Sequence, residues 1–184
     1  FTRPDGAAPM TTPQMADDIA ELSVAAKKLK VSDLKKMMDL SDKLAELNRE
    51  RFAAFDPAME DGLQAAFAFN GDVYSGLKAR ELDKKGLNYA QKHLRILSGL
   101  YGVLRPLDAI QPYRLEMGVR IKTGRGASLY DFWGDRIAGV LNEAGGGHKD
   151  PTLVNCASQE YFGAVDRNAI KLPVVTAKFF EEKD

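Results

Sequence analysis

A glycine-containing segment flanked by arginines is the first pattern in the sequence with chemical meaning. It runs from Leu94 to Arg105 and places Gly99 and Gly102 between apolar runs of helical spacing. Glycines let a backbone turn tightly and admit a phosphate close to amide groups, and the N-terminus of a following helix adds a positive dipole. The amides of Leu100, Tyr101 and Gly102 are therefore candidates for phosphate contacts.

The same segment resembles the helix-hairpin-helix element of sequence-nonspecific DNA-binding proteins. Its glycines lie three positions apart, whereas that element usually spaces them by two. In this interpretation Arg95 and Arg105 neutralise phosphate charge without contacting bases. An ordinary helix C-cap followed by a tight turn explains the same residues, and both interpretations stay open.

Basic residues are concentrated in the middle of the chain. The whole sequence has 26 Lys and Arg against 26 Asp and Glu, yet residues 92–125 hold seven basic residues and two acidic ones. Anionic ligands respond to a local potential, so this segment predicts a positive cleft. We assign Arg114, Arg120, Lys122 and Arg125 to that cleft, with double-stranded DNA as the expected partner. Solvated surface arginines are the alternative.

A second group of polar residues lies beside glycines and strand ends. Asp72 and Tyr74 follow a predicted turn, Arg114 and Glu116 share one face of an extended segment, and Asn155 closes a predicted strand. If they converge, they form a pocket for a small anionic or nucleotide-like ligand, and the protein is an enzyme. Turn geometry and a structural ion pair explain the same residues without a ligand.

The chain offers little material for a metal or redox site. Cys156 is the sole cysteine and is expected to be a buried thiol, and with His93 and His148 it gives no zinc-type spacing. Glycine motifs of the common nucleotide folds are absent, so we expect no metal and no cofactor. Apolar runs fall short of the roughly 18 residues that cross a bilayer, and the expected compartment is the reducing cytoplasm.

The elements predict one domain of the α/β class, mixed α+β with an irregular topology. Residues 1–12 are expected to be irregular, 13–60 helical, and 61–184 a mixture of strands and helices. Ser41 is predicted to cap a helix, and Ala65 to Phe69 to form a strand.

Six segments, taken in their order and spacing, together resemble the YaaA family of peroxide-stress proteins. They are Ser41 to Leu44, Gly71 to Leu77, His93 to Asp108, Tyr113 to Gly118, Phe132 to Gly134, and Asn155 to Tyr161.

The resemblance implies a cytoplasmic protein that limits hydrogen peroxide damage by lowering available intracellular iron. It also implies an α/β fold with a positive cleft and a DNA-binding, helix-hairpin-helix-like element, which corresponds to Leu94 through Arg105. Family members are longer, with an N-terminal strand and a C-terminal basic segment that have no counterpart here. Because the sequence opens at Phe1, we expect it to be a fragment.

Overall fold

The computed structural model describes residues 8–58 and 62–177, apart from the side chain of Asp72. Residues 1–7 of the predicted irregular N-terminal segment lie outside these ranges. Within them, nine α-helices, a short 3-10 turn and six short strands are intermixed without regular strand-helix alternation. The predicted mixed α/β class with irregular topology is confirmed.

Three helices open the described chain: α1 (Ala16–Lys27), α2 (Val31–Met38) and α3 (Asp42–Ala54). The Oγ atom of Ser41 accepts a hydrogen bond from the amide of Leu44, so the predicted cap of α3 is confirmed. Both α1 and α2 pack against α3. Their apolar faces supply one side of the core.

The next segment contains β1 (Leu63–Gln64), α4 (Ala65–Ala68), α5 (Asp72–Leu77), a 3-10 turn (Ala79–Glu81) and α6 (Lys84–His93). The strand predicted for residues 65–69 is wrong, since four of its five residues form α4. Alanine is the strongest helix former, and a short apolar run does not distinguish a strand from a buried helical turn.

Five further strands complete three small sheets. They are β2 (Ile96–Ser98), β3 (Gly102–Leu104), β4 (Ala109–Ile110), β5 (Leu153–Asn155) and β6 (Val174–Thr176). The pairs β1–β4 and β2–β3 are antiparallel, whereas β5–β6 is parallel. Their registers pair Leu63 with Ile110, Ile96 with Leu104, and Leu153 with Val174.

The remaining helices are α7 (Leu129–Trp133), α8 (Arg136–Gly145) and α9 (Gln159–Phe162). Gly134, at a φ of 50°, ends α7 and separates it from α8. The fully buried side chains of Trp133 and Phe132 belong to one hydrophobic cluster that includes residues from Met15 to Val165. This shared core positions the polar segments described below.

None of the helices in the described ranges combines the length and apolar character that a bilayer crossing requires.

Candidate functional site

Residues 96–104 form a β-hairpin, so the helix-hairpin-helix prediction for the segment from Leu94 to Arg105 is wrong. Strands β2 and β3 are antiparallel and are joined by a turn at Gly99 to Tyr101. Helix α6 ends before the hairpin, since Leu94 is already extended at φ −94° and ψ 139°. The β-branched residues Ile96 and Val103 favour strands, and this local preference overrides the apparent helical spacing of the leucines.

The turn of the hairpin is packed inside the protein. Gly99, Leu100, Tyr101 and Gly102 are all buried, with the Leu100 side chain fully inaccessible. The amide of Tyr101 donates to the Oγ atom of Ser98 at 2.9 Å. The buried turn gives a phosphate no access, so Leu100, Tyr101 and Gly102, predicted to contact phosphates, are corrected to packing positions together with Gly99 of the predicted phosphate-binding turn.

Arg105 is committed to a buried ion pair. Its Nε and Nη2 atoms donate to Oδ1 of Asp108 at 3.0 and 2.8 Å, and its own amide donates to Oδ2 at 2.7 Å. Asp108 is fully buried and also accepts from Oγ1 of Thr11 at 2.6 Å, while Nη2 of Arg105 donates to the carbonyl of Thr12. Arg105 therefore links the N-terminal segment to the loop after β3 by hydrogen bonds. Its guanidinium contacts Asp108 and Thr12 and not the predicted phosphate.

Arg125 is likewise held by carboxylates. Its guanidinium forms ion pairs with Asp18, at 2.5 Å, and with Glu21, both on α1. The same group lies 4.5 Å above the ring centroid of Phe132 on α7. These contacts connect α1 to α7. The carboxylates of Asp18 and Glu21 neutralise the positive charge of Arg125, which was predicted to line a DNA cleft.

Arg120 and Lys122 are placed differently. Both are exposed, and neither forms an ion pair with another residue of the described ranges. Val119, which precedes Arg120, is 4% exposed, and Ile121, which lies between the two cations, is 3% exposed. The alternating burial anchors the backbone and directs two cationic side chains outward.

Hydrogen bonds from Ser128 and Ala127 lower the pKa of Asp131, and the nearby charge of Arg120 adds to that effect.

Three of the five residues predicted to form a ligand pocket gather around Tyr161. Burial, and then the electrostatic influence of Tyr161, raise the pKa of Tyr74 to about 12. Burial and the charges of Glu160 and Glu116 raise the pKa of Tyr161. Arg114 pairs with Glu116 at 2.8 Å in a half-exposed ion pair. At neutral pH both phenols keep their protons and act as hydrogen-bond donors or acceptors.

The other two predicted pocket residues do not extend this group. Asp72 begins α5, and its side chain lies outside what the structure describes. Asn155 is buried, its Oδ1 atom accepts from the amide of Ala157 at 3.0 Å, and it makes no hydrogen bond to Tyr74, Arg114 or Glu116. The predicted five-residue pocket is not assembled by the described contacts.

A cleft that sequence reasoning missed lies where α6 and α8 end. It encloses about 410 Å³ and is lined by both histidines of the chain, together with Lys92, Arg95 and Lys149. The rings of His93 and His148 have centroids 4.7 Å apart. These histidines are 55 positions apart in a sequence without a metal or catalytic motif, so no local signal predicted their contact.

Cys156 is exposed, which corrects the expected burial of its thiol. Within residues 8–58 and 62–177, no group of three or more His, Cys, Asp or Glu side chains is arranged to hold a metal ion.

Comparison with known proteins identifies relatives along the whole chain. A family model described as "Peroxide stress protein YaaA" matches residues 2–184. A UPF0246 protein of Phenylobacterium zucineum is 69% identical over 184 residues, which are 100% of this chain and 69% of the relative. A UPF0246 protein of Caulobacter vibrioides is 67% identical over 183 residues, covering 100% and 72%, and one of Ruegeria pomeroyi is 57% identical over 175 residues, covering 94% and 68%.

Proposed function

Because the chain belongs to the YaaA family of peroxide stress proteins, we propose that it limits peroxide damage by binding DNA through phosphate contacts and by lowering free intracellular iron. Ferrous iron reduces hydrogen peroxide to hydroxide and a hydroxyl radical, which attacks DNA. A protein that acts on both DNA and free iron addresses the two components of that damage. Because the proposed activity concerns DNA and free intracellular iron, we expect it in the cytoplasm.

The observation that supports DNA binding is the outward pair Arg120 and Lys122. Unlike Arg105, Arg114 and Arg125, these two cations form no ion pair among the described residues, although the charge of Arg120 acts on nearby Asp131. When exposed cations neutralise phosphates, counterions are released from the DNA, and this supplies sequence-independent affinity. The two side chains contact backbone phosphates in the proposed complex and do not contact base edges.

Replacing both cations by glutamine is expected to weaken duplex DNA binding and to flatten its salt dependence. The slope of log affinity against log salt is negative, and each lost phosphate contact reduces its magnitude by about 0.9. Arg120→Gln/Lys122→Gln is therefore expected to reduce the magnitude by about 1.8. The measurement is a fluorescence-anisotropy titration of labelled duplex DNA at several salt concentrations, with two unrelated sequences of equal length. We expect the same loss on both sequences.

A matched variant separates this local effect from the change in net charge. Lys84→Gln/Lys85→Gln also removes two exposed positive charges, at the start of α6 and away from residues 119–122 in sequence. We expect it to bind DNA nearly as well as the unchanged chain. Equal losses in the two double variants, or no loss in either, would contradict the assignment to Arg120 and Lys122.

The iron component predicts a measurable change in cells. In a bacterium that lacks its own family member, expression of the chain is expected to lower chelatable iron after peroxide exposure by about twofold or more. Low-temperature electron paramagnetic resonance of cells loaded with a ferric chelator measures this pool. An equal iron signal with and without the expressed chain would contradict this component. The glutamine double variant tests whether DNA contacts are needed for it.

A further inference from the structure

The cleft between the ends of α6 and α8 has a positive wall. Of its lining residues, Lys92, Arg95 and Lys149 carry positive charge and Asp150 carries the negative charge. Its volume of about 410 Å³ lies in the range of pockets that hold small organic ligands. Arg120 and Lys122, the DNA contacts proposed above, are not part of its lining.

Arg95 is the most informative residue of this cleft. Its Nη1 atom donates to the carbonyl oxygens of Gln91, Lys92 and Leu94 at 3.1, 3.3 and 2.8 Å, which fixes the guanidinium at the end of α6. Its Nε atom is buried without a hydrogen-bond partner, and its Nη2 atom makes no hydrogen bond to the described residues. Nε is closed to solvent, so Nη2 is the atom of this edge from which a phosphate or carboxylate oxygen can accept.

An unpartnered buried donor is costly, and the cost is larger on a charged group. Burial, and then the positive charge of Arg105, lower the pKa of Arg95, with Asp108 opposing them. Arg95 forms no ion pair with any residue of the described ranges. A bound anion would balance this charge and accept a hydrogen bond from Nη2.

Both histidines are held at this cleft by ring contacts. Tyr89 stacks on His93 with centroids 4.0 Å apart, and His93 contacts His148 at 4.7 Å. The contacts connect α6 to the segment after α8. They bring two imidazoles, each with an N–H donor, beside the same cationic wall.

The basic residues also complement the negative C-terminal ends of α6 and α8, and this accounts for cations in the last turn of α6. It does not account for the unused edge of Arg95 or for the open volume beside it. We propose that this cleft binds the phosphoryl group of a small molecule, either free phosphate or a phosphate monoester. Arg95 donates to one phosphoryl oxygen from its Nη2 atom, and Lys92, Lys149 and the two imidazoles surround the remaining ones.

The two histidines provide a direct readout, since the chain contains no others. Carbon-13 and proton spectra of their rings are recorded while inorganic phosphate is added to the full chain, with sodium chloride at equal ionic strength as the reference. We expect saturable shifts of both ring signals with phosphate and none with chloride. Shifts that follow ionic strength alone would overturn the proposal and leave the cations as helix-end partners only.

Variants locate the binding site. Arg95→Gln is expected to weaken phosphate binding about tenfold, in line with the loss of a charged hydrogen bond. Because Arg95 also caps α6, Lys149→Gln is a second test: this exposed lysine is expected to change affinity about threefold or more with an unchanged unfolding midpoint. Lys85→Gln, at the opposite end of α6, and Arg120→Gln/Lys122→Gln are expected to bind phosphate normally. Unchanged binding by both Arg95→Gln and Lys149→Gln would overturn the assignment.

A second ligand identifies the source of the phosphoryl group. Adenosine 5′-monophosphate binding more tightly than inorganic phosphate would identify a phosphate monoester, and equal binding would identify free phosphate. Adenosine without its phosphate is expected to cause no saturable shift. Adenosine binding as tightly as its monophosphate would contradict recognition of a phosphoryl group. None of these outcomes depends on whether Arg120 and Lys122 bind DNA.

Discussion

Replacement of Asp108 by alanine is expected to lower the free energy of unfolding by about 3 to 5 kcal/mol. The carboxylate is fully buried and accepts hydrogen bonds from the side chain of Thr11 and from the backbone and guanidinium of Arg105. Its removal leaves a largely buried guanidinium without a counter-charge and several donors without an acceptor. Urea denaturation followed by circular dichroism measures the loss, which corresponds to a lower midpoint at constant slope.

The ion pair of Arg114 with Glu116 is the matched control for this prediction. It joins the same two chemical groups at the same 2.8 Å, but its side chains are 49% and 41% exposed, against 25% and 0% for Arg105 and Asp108. Water and salt screen such a pair, so Glu116→Ala is expected to cost less than about 1 kcal/mol. Comparable losses in the two variants would show that burial of Asp108 does not set its contribution.

The charge count of residues 92–125 overstated the free positive charge of the segment. It already included Asp108 and Glu116, which the fold pairs with Arg105 and Arg114, but it could not include the carboxylates outside the segment that pair with Arg125. Asp108 and Glu116 are close to their partners in sequence and could have been identified as partners. The partners of Arg125 are more than 100 positions away on α1, and no local pattern predicts that contact.

The helical first third could be predicted because its signals are local. Apolar residues at spacings of three and four define the buried faces of α1 to α3, and Ser41 supplies the cap of α3. The three small sheets could not be predicted in the same way. Their strands have two or three residues each, too few for an alternating pattern, and their pairing depends on tertiary contacts such as β1 with β4.

The candidate site shows the same division between local and distant signals. Arg120 and Lys122 alternate with apolar residues, so their outward placement follows from the sequence pattern. The histidine-lined cleft depends on how the ends of α6 and α8 approach each other. Nothing near His93 or His148 in the sequence specifies that approach.

Gly99→Ala is expected to destabilise the protein by about 3 kcal/mol, because the space beside this glycine is already filled. A Cβ atom at Gly99 would lie 2.2 Å from the carbonyl oxygen of Leu115, a backbone atom that cannot rotate away. The carbonyl of Gly99 also accepts a hydrogen bond from Nε1 of Trp133 at 3.1 Å. Separating these segments would disturb the core, and the expected fall in melting temperature is about 6 to 12 °C.

Gly139→Ala is the control for the glycine-to-alanine change itself. Gly139 lies within α8, and a Cβ atom there would meet nothing within 4 Å. Alanine at such a position favours the helix, so this variant is expected to gain about 0.5 to 1 kcal/mol. A similar response of the two variants would contradict the steric explanation for Gly99.

The pair of variants also decides between packing and phosphate binding at the hairpin. If Gly99 admits a phosphate, alanine would lower DNA affinity while the unfolding free energy stays unchanged. If Gly99 is a packing position, the unfolding free energy falls, and DNA affinity measured well below the melting temperature stays close to that of the unchanged chain. The burial of Gly99 and its contact with Leu115 favour the second result. Denaturation and anisotropy measurements on the same sample distinguish the two, since each interpretation predicts a change in a different quantity.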